Sequence, residues 1–407
     1  MGSLSIYLLF TLIVVSTPQQ STEACFTSIF SFGDSNTDCG NLLFILNNLH
    51  RISRLPYGET FFHRPTGRFS DGRLVVDFLA EAFELPLLLP NLPYLDDDRR
   101  FENGANFAVG GATALDELFF NEKGIPVFLE NISLDAQLKW FKQLLSSQCS
   151  SGIECENNLS SSLFIMGLIG GNDYNHPLFY GRNFEEVRTF VPSVINAISS
   201  AITALIGLGA RTLLVPGNFP IGCNSAHLSI FHVPYAEDYD EKIGCIKWLN
   251  EFAEYHNHLL ITELDHLRKM HPHATIIYAD YYQALMTIYQ SPEKYGFQSS
   301  PLGACCGSGA LYNYNSSCLC GESGSTVCME PSRYVSWDGM HLTEAANSFI
   351  VTGLLQGKFT NPPFTQTCFL GKVETIGRNL ELPHNGYNNF VNTACSSFPG
   401  CSNDDIS

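Results

Sequence analysis

Charge is scarce in this chain, and positive charge is scarcer. Only 15% of its 407 residues are charged against 45% apolar, which suits a packed globule and argues against a disordered chain. Lys and Arg number 22 against 40 acidic residues, a formal charge of −18. A surface of that sign repels phosphate backbones and anionic lipid, so nucleic acid and acidic membranes are not expected partners. After the N-terminal segment no stretch reads as long and apolar enough for a membrane span, so no stable membrane anchor is expected. Internal repeats are lacking. The cysteines at Cys305, Cys306, Cys318, Cys320 and Cys328 lack the paired C-x-x-C rhythm of a zinc site, and neither a metal nor a cofactor is expected.

What is present points first to a compartment. Ile6 to Val15 is a short apolar run followed by small and polar residues up to Ala24, the pattern of a signal peptide over residues 1–24. Its n-region has no Lys or Arg, so the start amine must supply the positive charge. The sequons at Asn131, Asn158 and Asn315 are candidate glycan acceptors. Fourteen cysteines, an even number, read as disulfides in an oxidising compartment, with Cys149–Cys155 and Cys395–Cys401 as candidate short loops. A secreted protein, extracellular or vacuolar, is expected, and a monomer. One domain over residues 25–367 would be followed by a Cys-containing tail over 368–407, where periodicity is lost.

Short apolar runs alternate with helical patterns along the domain. Strands are expected at Ser28–Phe32, Asn106–Val109, Leu163–Ile169, Thr212–Val215 and Thr275–Ala279. Helices are expected from Ser70, as cap, to Leu85, behind Ser133, from Phe184 to Leu208, and from Ile246 to Met270. That alternation implies an α/β fold with a parallel sheet covered on both faces.

In such sheets functional groups gather where strands end. After the first strand comes Gly33-Asp34-Ser35-Asn36, after the second Gly110-Gly111, after the third Gly170-Gly171-Asn172-Asp173, and near the end Asp338-Gly339-Met340-His341. A serine on a tight turn needs a base, for which His341 is the candidate, and Asp338 three residues earlier is placed to accept from the other ring nitrogen. An oxyanion would need donors already aimed at it, and the N–H groups of Ser35 and Gly111 with the amide of Asn172 are the candidates. Each feature has a structural reading: Ser35 as a helix cap, the glycines as turns, Asp338 and His341 as a structural or metal-binding pair. One reaction accounts for all of them together. Asp34, Asp38, Asn41 and Asp173 are read as fixing loop geometry. His256, His258, His271 and His273 are read as surface, and Asp96 to Asp98 as a solvated turn.

These blocks resemble those of the plant GDSL esterase/lipases of the SGNH hydrolase superfamily. The matching segments are Phe32-Gly-Asp-Ser-Asn-Thr-Asp-Cys-Gly-Asn41, Gly104-Ala-Asn-Phe-Ala-Val-Gly-Gly-Ala112, Gly171-Asn-Asp-Tyr174 and Asp338-Gly-Met-His-Leu-Thr-Glu344, and the resemblance spans about Phe26 to Phe364. It implies a three-layer α/β/α, flavodoxin-like fold and a two-step acyl-enzyme mechanism without metal. Ser35 would be nucleophile, His341 base and Asp338 its orienting acid, with Gly111 (or, one place off, Gly110) and Asn172 completing the oxyanion hole. Segments such as Pro56–Thr60, Ser70–Arg73 and Phe219–Cys223 look like the acetylajmalan esterase type, which removes acetyl groups from alkaloids. Cys39 stands where the family usually has Thr and is a candidate disulfide partner able to shift the nucleophile loop.

The function expected is hydrolysis of a small or medium acyl ester, a small-molecule substrate such as an acetylated plant metabolite. The alternatives are an acyltransferase using the same triad and a catalytically silent secreted binding or defence protein.

Overall fold

A computed structural model describes residues 25–94, 102–148, 156, 158–232, 235–309 and 311–367. The expected signal peptide, the Asp96–Asp98 turn, the two short cysteine loops and the tail lie outside the described residues.

Five strands form a parallel series: β1 (Ser28–Phe32), β2 (Gly104–Asn106), β3 (Ser162–Met166), β4 (Thr212–Pro216) and β5 (Thr275–Ala279). A two-stranded antiparallel pair follows, β6 (Cys306–Gly307) and β7 (Thr326–Val327), and then β8 (Thr360–Asn361). The main sheet runs in the order β2-β1-β3-β4-β5-β8, and β8 joins β5 antiparallel. The sequence reading missed β8 because two residues carry no periodicity.

Alternation along each strand divides the core in two. From β3, Phe164 and Met166 join the helices α2 (Leu134–Gln148), α4 (Val191–Leu208) and α5 (Lys247–Met270) on one face. Leu163 and Ile165 join α1 (Val75–Ala82), α6 (Tyr281–Gln290) and α7 (Glu344–Leu355) on the other. The remaining helix that matters is α3 (Gly171–Phe179), which starts directly after the β3 strand's exit loop. This is the expected three-layer α/β/α arrangement, with both faces of nearly every strand buried.

Several expected boundaries shift. The second strand lies two residues earlier than predicted, at Gly104, where a Cβ would clash with the Ile29 carbonyl oxygen; only glycine allows the approach to β1. Ser70 does not cap α1. That helix starts after Leu74, whose N–H donates to the Asp77 carboxylate at 2.8 Å. The predicted helix Phe184–Leu208 is broken after Arg188, and α4 restarts with Pro192, which lacks an N–H, in its first turn. By length and composition that apolar stretch would suffice to cross a membrane, contrary to the expectation. In the fold Val194, Ile198, Ile202 and Leu205 are buried in the core. His256 is not a surface residue either: it is buried on α5, and its Nδ1 lies 2.7 Å from the Tyr174 hydroxyl.

Three disulfides are described, Cys223–Cys245, Cys305–Cys328 and Cys306–Cys320. The last two staple the β6/β7 pair. Cys39 is a free, buried thiol, and burial raises its pKa well above the usual thiol range, so the expected disulfide beside the nucleophile loop is not formed.

Candidate active site

The turn after β1 is built to hold one conformation. Gly33 has φ +143°, and a Cβ there would lie 3.0 Å from the Leu168 carbonyl oxygen. Its N–H donates to Gln137 Oε1 at 2.9 Å, and its carbonyl accepts from Gln137 Nε2 at 2.8 Å. Asp34 N–H donates to the Leu168 carbonyl at 2.9 Å, and Asp34 Oδ1 accepts from the Asn36 N–H at 2.9 Å. Asp38 accepts four backbone N–H groups, from Gly40 and Asn41 at 2.7 Å, Leu42 at 3.0 Å and Gly110 at 2.8 Å. The last bond ties the second motif to the first. Asn41 Nδ2 donates to the Asn106 and Ala108 carbonyls, both at 2.9 Å, and Asn106 Nδ2 to the Thr37 carbonyl at 2.8 Å. Burial pushes the Asp34 and Asp38 carboxyls up to about 6 despite their donors.

The second turn comes from the other end of the domain. Asp338 Oδ1 accepts from the Met340 N–H at 3.0 Å and the His341 N–H at 2.9 Å, closing an Asx turn before α7. Thr343 then caps α7 through a bond from the Ala346 N–H at 3.2 Å. The Ser70–Arg73 segment clamps this helix start. Asp71 Oδ1 accepts from the Glu344 N–H at 2.7 Å, and the Arg73 N–H and guanidinium bond Glu344 at 2.7 and 2.8 Å. That clamp is why Ser70 is unavailable as a cap.

The two turns meet. His341 Nε2 lies 2.8 Å from Ser35 Oγ, and His341 Nδ1 lies 2.8 Å from Asp338 Oδ2. All three side chains are buried. Burial alone would push the Asp338 carboxyl up. The facing His341, its hydrogen bond, Arg51 and the Tyr57 hydroxyl outweigh burial and hold it well below the usual carboxylate range. A hydroxyl bonded to an imidazole whose other nitrogen meets a buried carboxylate can lose its proton as it attacks a carbonyl.

The candidate oxyanion donors differ in what they are already bonded to. Among the described residues the N–H groups of Ser35 and Gly111 have no protein acceptor, whereas that of Gly110 is committed to Asp38. This separates Gly111 from Gly110. Gly111 has φ +86°, and a Cβ on it would meet Phe128 at 2.7 Å. Asn172, in the first turn of α3, donates one amide hydrogen to the Ala112 carbonyl at 3.0 Å, leaving the second without a protein acceptor among the described residues. Asp173 accepts from the Ala114 and Leu115 N–H groups at 2.8 and 2.9 Å and so holds the second motif against α3.

The sequence from residue 29 to 354 matches the family model described as GDSL-like Lipase/Acylhydrolase. The chain belongs to that family. It is accordingly a carboxylic ester hydrolase of the GDSL type. Among curated relatives, a GDSL esterase/lipase of Arabidopsis thaliana is 49% identical over 357 residues, covering 87% of this chain and 91% of the relative. A second from the same plant is 48% identical over 387 residues, covering 94% and 96%. A sinapine esterase of Brassica napus is 47% identical over 359 residues, covering 88% and 92%.

In this GDSL hydrolase the serine, histidine and aspartate singled out in the sequence lie within hydrogen-bond reach of one another, and Asp34, Asp38, Asn41 and Asp173 hold the surrounding loops as expected, but several other supports were missed. Gln137 sits on the apolar face of α2, between Leu134 and Phe141, fully buried; a lone Gln in that stripe was the available signal. Tyr57 lies in the quoted Pro56–Thr60 segment, but no sequence signal tied it, Arg51, Phe69 or His50 to the site. Phe69 lies 4.6 Å from the His341 ring, and His50 lies 5.8 Å from Phe69 and 6.3 Å from Phe128. Among the described residues no group of three or more His, Cys, Asp or Glu is placed to hold a metal ion. The sequon residues Asn131, Asn158 and Asn315 are all exposed.

Proposed function

We propose that this hydrolase cleaves small or medium acyl esters through an acyl-enzyme on Ser35. One observation carries the reading: the continuous line of 2.8 Å contacts from Ser35 Oγ through His341 to Asp338. His341 takes the hydroxyl proton as Ser35 attacks the ester carbonyl, and returns it to the departing alcohol. Water then repeats the cycle on the acyl-enzyme. The oxyanion is met by the N–H groups of Ser35 and Gly111 and the free amide hydrogen of Asn172. Replacing Asn172 by alanine should lower kcat about 100-fold or more with little change in KM, because the oxyanion exists only beyond the ground state. Steady-state kinetics on a nitrophenyl ester checks this, and near-native kcat would remove Asn172 from the hole.

The aromatic side chains Phe69, His50 and half-exposed Phe128 flank the donors and suit an apolar acyl or alcohol portion. A plant-metabolite ester, such as an acetylated alkaloid, is the proposed substrate class; the Brassica napus relative is named for sinapine, another ester. We also propose entry into the secretory pathway, which the three disulfides and exposed sequons support. A panel of nitrophenyl esters of rising chain length, run beside natural acetyl esters with and without an alcohol acceptor, tests the reading. Carboxylate release dominating, and falling with long acyl chains, is expected. Dominant transfer to the alcohol would make the protein an acyltransferase, and no turnover of any ester would make it a silent binding protein.

A further inference from the structure

The proposed triad ends at Asp338, but the hydrogen-bonded line does not. Asp338 Oδ2 accepts not only from His341 but also from the Tyr57 hydroxyl, at 2.8 Å. The Tyr57 oxygen in turn accepts from Arg51 Nε at 3.4 Å. Tyr57 is fully buried, its ring edge-on to Trp337 at 6.1 Å and Phe69 at 6.4 Å. Gly321 closes the remaining side: a Cβ there would come within 3.6 Å of both the Tyr57 ring and the Arg51 carbonyl. Gly321 follows Cys320, so the Cys306–Cys320 disulfide anchors this wall.

We propose that Tyr57, backed by Arg51, is a positioning residue that aims Asp338 and tempers its pull on the His341 proton. This rests on the triad reading above. Each carboxylate oxygen has a defined set of donors, and each set has a task. The Met340 and His341 backbone N–H groups on Oδ1 hold the turn; His341 Nδ1 faces both oxygens, Oδ1 at 2.9 Å and Oδ2 at 2.8 Å, and the Tyr57 hydroxyl donates to Oδ2 as well. A donor on that oxygen withdraws charge from it, so the carboxylate stabilises the imidazolium less than a bare one would. Arg51 adds a fixed positive charge behind the phenol. Other groups face the pair too: Asp34 from the nucleophile turn, His50 beside Arg51, and Tyr314, whose ring packs on Gly339. His50 is held neutral, down to about 4, by burial and by Arg51, so it does not replace that charge near neutral pH.

Tyr57→Phe removes the hydroxyl and keeps the ring. The proton on His341 should then be held more tightly, so the acid limb of the kcat/KM profile should move to higher pH by about half a unit or more. Loosening of Asp338 should lower kcat about 10-fold, with KM near native. Arg51→Gln should move the same limb in the same direction, and Arg51→Lys, which keeps the charge, should bring it back towards native. A purely structural Tyr57 would change stability and the amount of active enzyme but leave the limb in place. A folded Tyr57→Phe enzyme with a native acid limb overturns the proposal, whatever its kcat. If that variant fails to fold, a native limb in Arg51→Gln overturns it equally. Labelling of Ser35 in the native enzyme tests the triad itself, so the two failures are told apart.

Discussion

Replacing Ser35 by alanine should reduce ester turnover by about four orders of magnitude or more while the fold survives. Among the described residues the hydroxyl has a single side-chain partner, His341 Nε2, and contributes no bond to the turn that carries it. That turn is held by Gln137, Asp34 and Asp38, none of which the substitution touches. The oxyanion donors, including the backbone N–H of residue 35, remain, so a small residual rate over water is expected. The check is kcat alongside a thermal melt. Turnover above about one hundredth of native with an unchanged melt would mean that the covalent step, if one exists, uses another group.

Asp338→Asn should cost about 10⁴-fold in kcat near neutral pH, nearly as much as losing the nucleophile. Both carboxylate oxygens are acceptors only. Oδ1 receives the Met340 and His341 backbone N–H groups, Oδ2 receives the Tyr57 hydroxyl, and His341 Nδ1 faces both, at 2.9 and 2.8 Å. An amide NH2 in either place confronts donors with a donor. Placed on the Oδ2 side it would drive His341 to the tautomer with hydrogen on Nε2, which cannot accept from Ser35. The substrate-binding surface is left alone, so KM should move little. Kinetics at a single neutral pH suffices, and a loss of less than tenfold would show that the imidazole needs no acidic partner here.

The doubly buried strands were legible in the sequence, and β1 and β5 fall on the expected residues, because a strand covered on both faces reads as a short, largely apolar run. Elements defined by long-range pairing were not. β8 is two residues pinned to β5, and the Cys305–Cys328 and Cys306–Cys320 bridges join positions whose spacing allows other pairings. The proposed triad could be assembled from the sequence because Asp338 and His341 share one turn and Ser35 follows closely on a strand. Gly111 was named with Gly110 as the one-place-off alternative; what sets them apart in the structure, the Asp38 carboxylate claiming the Gly110 N–H across 72 residues, leaves no local pattern. His256 misled for a related reason: on α5 it faces Tyr174, whereas a spacing of two residues from His258 says only that the two point apart. Tyr57 lies in the Pro56–Thr60 segment, noted only for its family likeness; its bond to Asp338 could not be read from that segment, because the partner is 281 residues away.

The most direct measurement is covalent labelling by a fluorophosphonate ester, read by intact mass and peptide mapping. The native protein should gain one phosphonyl group, on Ser35. Ser35→Ala should gain none, and His341→Ala should label at least about a thousandfold more slowly because the hydroxyl has lost its base. A modification at any other residue, or an undiminished rate without His341, would contradict the proposed roles of all three side chains.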